Sequence, residues 1–285
     1  MYYQTHSSKE PDEDHFGLMK IELISYSSWE SNDERDFKSS IMREVLIKSS
    51  SDIVVFPGSS ILSLDDFISI VSNASITIKA KIVVFEVSPI KKIQKEKKVK
   101  IEKPEFSGQS YCYDIMHRRF LLEAFRQWYA TGSDLDRYPC LFDAMHDEWK
   151  DGLRSFNYGG KTFTILMCGE TAMLKCNVVG GKIGPAQFRI SAPQACARYK
   201  EIMDGTDVFL NPIHTIQGNQ GKIKKRRDVL SSEDRVYFST ASFRKGKVSD
   251  NSASVQYAVC NGCDLQPIHE ETRKTDQYIS RVFEI

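Results

Sequence analysis

The apolar run Lys161–Met167 leads straight into Cys168-Gly169-Glu170. A thiol just past a buried strand is held by a rigid scaffold at a sheet edge, where ligands collect. The glycine behind it lets a backbone N–H approach a substrate oxygen unobstructed, which is one half of an oxyanion hole. A thiolate there can attack an amide or nitrile carbon, forming a thioester or thioimidate that water later releases. The plainer reading of Cys168 is a small hydrophobe closing a strand end. Glu170 either orients a substrate near the thiol or pairs within the turn.

Other residues offer less. His146, in Asp143-Ala144-Met145-His146, reads as a polar loop residue. Cys260-Asn261-Gly262-Cys263 lacks the second pair that a closed zinc site requires, and Asn-Gly between two short apolar runs signals a type I′ hairpin. The basic clusters Lys91–Lys103 and Lys222–Arg227 hold few aromatics, so they read as solvated loops and not as base-stacking surfaces. Lys150 and Lys161 also read as loop residues. Walker A, Gly-x-Gly-x-x-Gly, His-Glu-x-x-His and Gly-x-Ser-x-Gly patterns are absent, and neither a cofactor nor a metal is expected.

The chain has 285 residues, with 39 Lys and Arg against 38 Asp and Glu. That balance gives no general pull toward nucleic acid or a membrane surface. No run approaches the roughly 20 apolar residues of a membrane span. The polar N-terminal residues lack a signal-peptide core. Seven scattered cysteines, an odd number, fit reduced thiols in a cytoplasmic protein better than a disulfide framework. Residues 1–17 read as a flexible leader and 18–285 as one domain, with a basic insertion or loop at about 90–106.

The thiol needs a scaffold, and the first third of the chain supplies its pattern. Lys20–Tyr26 reads as a strand. Phe37, Ile41 and Val45 recur every four residues on one helical face, with Asn32 or Asp33 as a cap. Asp52–Phe56 is a short apolar strand stopped by Pro57-Gly58, a helix starts near Ser63, and Lys81–Val87 is another buried strand. This β-α-β-α-β order argues for an α/β layered sheet. Tyr111–Ile115 and Phe120–Trp128 are less clear, and the latter fits either a helix or a long strand. Further on, a helix over Pro193–Met203 stops at Gly205, and a strand from Asp207 ends at Asn211-Pro212. Arg235–Ser242, Val255–Val259 and Tyr278–Glu284 read as strands of a mostly antiparallel tail.

Three segments, in this order, resemble the nitrilase or carbon–nitrogen hydrolase superfamily. They are Ile53-Val54-Val55-Phe56-Pro57, Thr164-Ile165-Leu166-Met167-Cys168-Gly169-Glu170, and Gly205-Thr206-Asp207-Val208-Phe209-Leu210-Asn211-Pro212. The resemblance spans most of residues 19–285 and is thin between about Ser88 and Gly160. It implies a four-layer α-β-β-α sandwich, cleavage of a small amide or nitrile-like compound by a Glu–Lys–Cys set, and a homodimer. It puts Cys168 at the nucleophile position, Glu170 at the acidic position two residues on, and Gly169, Gly58, Asn211 and His214 at the substrate pocket.

The pattern breaks at two places. The family's general base directly follows Phe-Pro, where this chain has Gly58, which cannot take a proton. The family's lysine has no counterpart in Tyr129–Leu135. Glu86 is the nearest carboxylate able to substitute as base, and His214 offers a Cys–His pair by another route. Two functions follow: a divergent hydrolase working through Cys168, or an inactive protein of the same fold that binds a small ligand or a partner protein.

Overall fold

Continuous apolar strands are buried on both faces, and alternation along each strand tells what either face meets. The computed structural model describes residues 18–28, 34–75, 77–88, 108–215, 219–244, 255–272 and 278–285. The leader 1–17, the basic segment about 90–106 and the cap candidates Asn32 and Asp33 lie outside the described residues.

One sheet has the order β5 (Arg119–Arg126), β4 (Gln109–Asp114), β3 (Ile82–Val87), β2 (Ile53–Val55), β1 (Lys20–Ser28), β15 (Tyr278–Glu284), β14 (His269–Thr272). Its strands β1, β2 and β3 are parallel and its edges antiparallel. The other runs β6 (Ser155–Tyr158), β7 (Lys161–Ile165), β10 (Val208–Thr215), β11 (Val236–Arg244), β12 (Gln256–Cys260), β13 (Cys263–Asp264). Here β7, β10 and β11 are parallel. The sheets join where Ser27 and Ser28 pair in parallel with Phe243 and Arg244.

Ile21, Leu23, Ile53, Val55, Ile82 and Val84 of the first sheet form one core with Phe163, Ile165, Val208, Leu210 and Phe238 of the second. The intervening residues Ile24, Val54, Phe56, Val83 and Phe85 face outward, onto α1 (Glu34–Lys48) and α2 (Leu64–Val71). Leu166, Phe209 and Tyr237 likewise pack under α3 (Gly132–Arg137), α4 (Cys140–Lys150), α5 (Pro193–Asp204) and α6 (Gln220–Leu230). Helix, sheet, sheet, helix is the four-layer α-β-β-α sandwich that the resemblance implies.

Several local expectations hold. Ile41 and Val45 are buried on α1. Ser63 caps α2, accepting from Asp66 N at 3.1 Å. Cys260 pairs with Cys263 across a turn in which Asn261 and Gly262 both have positive φ, as type I′ demands. All seven cysteines are free. No described helix is long and apolar enough to cross a membrane.

Others are corrected. The two less clear segments are strands β4 and β5, β4 pairing antiparallel with β3 and β5 with β4. The strand through Asn211-Pro212 does not stop there but runs on to Thr215. Pro212 lies beyond the last pair with β7, at Leu210, where its missing N–H is tolerated. The tail is mostly antiparallel as read, through β11–β12, β12–β13, β14–β15 and β15–β1, while β11 adds parallel pairings with β10 and β1 that the sequence did not show. Lys222–Arg227 belongs to a helix, not a loop. Asn219 caps it, accepting from Lys222 N at 3.1 Å, and Arg227 turns inward over the Tyr257 ring at 3.4 Å. Lys150 ends a helix and Lys161 begins a strand. A hairpin of β8 (Leu174–Val179) and β9 (Lys182–Phe188), unread in the sequence, packs on α6.

Candidate active site

Cys168 stands three residues past the end of β7, half-buried. The backbone leading to it is clamped from two sides. Asn211 Nδ2 donates to Leu166 O at 2.6 Å, and Met167 N donates to Glu170 Oε2 at 2.8 Å. A reverse bond from Glu170 N to Met167 O, 2.9 Å, closes the turn around the thiol. Gly169 packs so tightly on the next segment that a Cβ there would stand 2.1 Å from Ala130 O. Any side chain at 169 would push this turn off its support.

His214 reaches the thiol from the neighbouring strand. The register of β10 on β11 shifts between Ile213 and Thr215, so His214 is the extra residue of a bulge. A bulge re-aims a side chain that regular pleating would send elsewhere. Its Nε2 lies 2.7 Å from Glu86 Oε1, and its ring is near enough to Cys168 for the thiol to act on its charge. Glu86 is fully buried at the end of β3, and its other oxygen has no hydrogen-bond partner among the described residues. Thus thiol, imidazole and carboxylate form a line across the junction of three strand ends. Burial opposes a charge on His214, but the hydrogen bonds to Cys168 and Glu86, and the fields of both, push it up to about 10. The imidazole is therefore a cation at neutral pH, held beside the thiol.

Gly58 explains why this line fits. A Cβ at 58 would stand 2.9 Å from both His214 Cδ2 and His214 N. The imidazole takes the space that a side chain at position 58 would need. Gly58 N also donates to Ile213 O at 3.1 Å, pinning the bulge. Lys38 Nζ donates to Ser59 O at 2.6 Å, steadying a residue with φ of +56°. The turn is tied to Glu86 as well, since Ser60 Oγ accepts from Glu86 N at 3.0 Å. We expect Gly58→Ala to displace the imidazole. Stability should fall by about 1–3 kcal/mol, as for overpacking elsewhere, and alkylation of Cys168 should slow. Urea melts and peptide mapping would read both; unchanged alkylation would show that the contact does not matter.

The other sequence candidates fall differently. Glu170 does not open onto the site. It is fully buried, Oε1 accepts from Trp128 N at 2.9 Å, and Oε2 takes Met167 N and Arg154 Nη1, the latter at 2.6 Å. Asn211 is buried too, with its amide spent on Leu166 and its Oδ1 on the Tyr237 hydroxyl at 2.6 Å. Both hold the scaffold of the thiol and have no free group to offer a ligand. His146 lies elsewhere, linking α4 to Glu201 of α5 at 2.8 Å. Arg154 was missed. It is among the largest fully buried side chains and joins Glu148, Glu170 and the Arg126 carbonyl. A lone arginine between two loops gives no sequence signal of such burial. Among the described residues no group of His, Cys, Asp and Glu is arranged to hold a metal ion.

No family model matches the chain, and no curated protein matches it. Solved structures do. A glutamate-to-leucine variant of the amidase from Nesterenkonia sp. AN1 matches with TM-score 0.52 and 10% identity, over 95% of this chain and 91% of that one. That structure holds the acetamide moiety of fluoroacetamide covalently on its active-site cysteine. A cysteine-to-alanine variant of the same amidase, in complex with butyramide, matches with TM-score 0.51 and 10% identity, over 94% and 90%. A cysteine-to-serine variant, described as an amidase from the nitrilase superfamily, gives 0.52 and 10%, over 94% and 91%. At this identity the likeness carries the architecture alone, and the chain has the fold of a nitrilase-superfamily amidase.

Proposed function

We propose that the chain is a divergent member of the nitrilase superfamily that hydrolyses a small amide, with Cys168 as nucleophile and His214–Glu86 replacing the family's glutamate and lysine. The observation that carries this reading is the imidazole, 2.7 Å from the buried carboxylate of Glu86 and acting on the thiol of Cys168, in the space left by Gly58.

The chemistry follows the order of the line. The Cys168 sulfur attacks the amide carbon, and charge builds on the carbonyl oxygen, for which the Gly169 N–H is the proposed donor. The protonated His214 gives its proton to the departing nitrogen, so ammonia leaves and a thioester remains. A water then loses its proton to the now neutral imidazole and attacks the thioester. Collapse releases the carboxylic acid and returns the proton and the thiolate. Glu86 keeps the imidazole oriented and balances its charge, as the third group of a triad does.

The test is ammonia release from short aliphatic amides, butyramide first, by wild type and Cys168→Ala. Turnover lost in the variant supports the reading. No ammonia from any amide, with Cys168 alkylated by iodoacetamide no faster than the exposed Cys140, would instead leave an inactive protein of the same fold that binds a ligand or a partner.

A further inference from the structure

The hairpin at the edge of the second sheet brings two thiols face to face. β12 turns into β13 through Asn261 and Gly262, and Cys260 is the register partner of Cys263. Directly opposed residues on antiparallel strands point to the same face of the sheet. Cys260 packs against the inter-sheet core, so Cys263 stands on that face at its rim, where it is exposed. Leu265 N donates to Ala258 O at 2.8 Å, which makes those two a hydrogen-bonded opposed pair, and Cys260 and Cys263, two residues along, are a pair of the same kind.

The Cα atoms of such a pair are about 5.5 Å apart, within the roughly 4.4–6.8 Å that a disulfide spans. Opposed Cβ atoms are about 4.5–5.5 Å apart, so bonding geometry needs an approach of about 1 Å. β13 can make that move, because it is two residues long and pairs with β12 alone among the described residues. The turn between them is pinned. Asn261 N donates to Ser231 O at 2.6 Å, Gly262 N to Ser231 Oγ at 3.2 Å, and Asn261 Nδ2 to Asp234 Oδ1 at 2.8 Å. The two sulfurs are therefore held as neighbours.

The chemistry open to them is sulfur exchange. A structural zinc site takes four ligands, and no group of three His, Cys, Asp and Glu is arranged for a metal among the described residues. Cys263 is exposed and Cys260 half-buried. Burial, then Asp234 and Cys263, push the Cys260 thiol up against the pull of Lys161, so Cys263 is the thiol that reacts first. The pair is remote from Cys168. Cys260 lies opposite Val236, and Val236 opposite Val208 at the start of β10, whereas His214 is near that strand's other end. At about 3.3 Å per residue the two places are roughly 20 Å apart.

We propose that Cys260 and Cys263 are a reactive dithiol that closes to an intrachain disulfide by exchange with low-molecular-weight disulfides. In the first step the Cys263 thiolate attacks one sulfur of the small disulfide. That S–S bond breaks, one small thiol leaves with a proton, and a mixed disulfide forms on Cys263. In the second step Cys260 gives up its proton and attacks the Cys263 sulfur, and the other small thiol leaves with that proton. Two electrons pass from the dithiol to the small disulfide, which becomes two thiols. The site stands independently of the hydrolase reading.

The experiment incubates the native chain with glutathione disulfide, blocks the remaining thiols with iodoacetamide, and maps peptides without reduction. The wild-type peptide that holds both cysteines should lose two hydrogens and carry neither glutathione nor an alkyl group. Cys260→Ser should instead trap glutathione on Cys263, at least about tenfold above wild type, because the opposed thiol acts at an effective concentration of the order of mM or more. Cys263→Ser, a change at an exposed position, should leave Cys260 free of glutathione over the same time. Four results overturn the proposal: equal trapping on Cys263 in wild type and Cys260→Ser, a wild-type peptide that stays fully alkylated, a disulfide joining two copies of the chain, or glutathione on Cys260 in Cys263→Ser as fast as wild type closes. The wild-type mass decides the case by itself if Cys260→Ser unfolds the chain.

Discussion

Replacing His214 by alanine should lower kcat/KM for amide hydrolysis about 10²–10⁴-fold, the usual contribution of a positioned acid–base group. The large figure follows from the geometry. His214 stands beside the thiol and is held by a buried carboxylate 2.7 Å away. His214→Ala removes both the acid for the leaving nitrogen and the base for the attacking water. The fold should survive, because the imidazole is 31% exposed and fills no part of the inter-sheet core. Loss of activity with an unchanged melting curve is the expected pair of results; turnover within a few-fold of wild type would remove His214 from the mechanism. Glu86→Gln gives a graded companion. It keeps the shape and deletes the charge, so the imidazole should lose its proton at lower pH. The alkaline limb of the kcat/KM profile, near pH 10 in wild type, should move down. A merely structural Glu86 would lower expression or melting without moving that limb.

The same titration has a stability consequence of fixed sign. His214 binds its proton more tightly folded than unfolded, where its pKa is about 6.5. Its contribution is therefore complete below about pH 6.5 and is lost as pH rises through about 10. The difference in unfolding free energy between wild type and His214→Ala should shrink over that window.

Much of the frame was legible because its physics is local. The buried strands 53–55 and 82–87 announce themselves as unbroken apolar runs, and Ser63 marks a helix start through its own hydroxyl. The thiol at 168 was legible as the residue after such a strand. Its partners were visible only as possibilities, because what brings them together is not local. Glu86 and His214 are 128 residues apart, and their meeting depends on a bulge that no single-residue signal predicts. Gly58 looked like a deletion of chemistry. In the folded chain it is the space into which another residue's chemistry fits. The hairpin 174–188 turns at Gly180-Gly181, both with positive φ, but its strands lack the regular apolar alternation that would have announced them. The helix at 220–230 was hidden by its charges, because a basic run is usually solvated and here two of its arginines turn inward.

The second large effect concerns stability, and it separates Glu170 from catalysis. Glu170→Ala should destabilise the protein by about 3–5 kcal/mol, the range for breaking a buried ion pair. The carboxylate and Arg154 are 0% and 1% exposed and 2.6 Å apart. Burial disfavours the arginine's charge, and Glu170 and Glu148 more than restore it. Without Glu170 that cation keeps one carboxylate, the partly exposed Glu148, and the Arg126 carbonyl, while the backbone N–H groups of Trp128 and Met167 lose their acceptor. A double replacement, Glu170→Leu with Arg154→Met, removes both charges together and should recover part of the loss, since apolar pairs often substitute well for buried ion pairs. It cannot recover all of it, because the two N–H groups remain unsatisfied. Urea denaturation of Glu170→Leu, Arg154→Met and the double forms a cycle whose coupling term isolates the pair. The Met167 bond ties this cycle to the site. If Glu170 positions the nucleophile, the folded double variant should alkylate Cys168 more slowly than wild type even where its stability is regained. Equal alkylation in that variant would mean that the turn keeps its shape unaided, and the clamp would then serve folding alone.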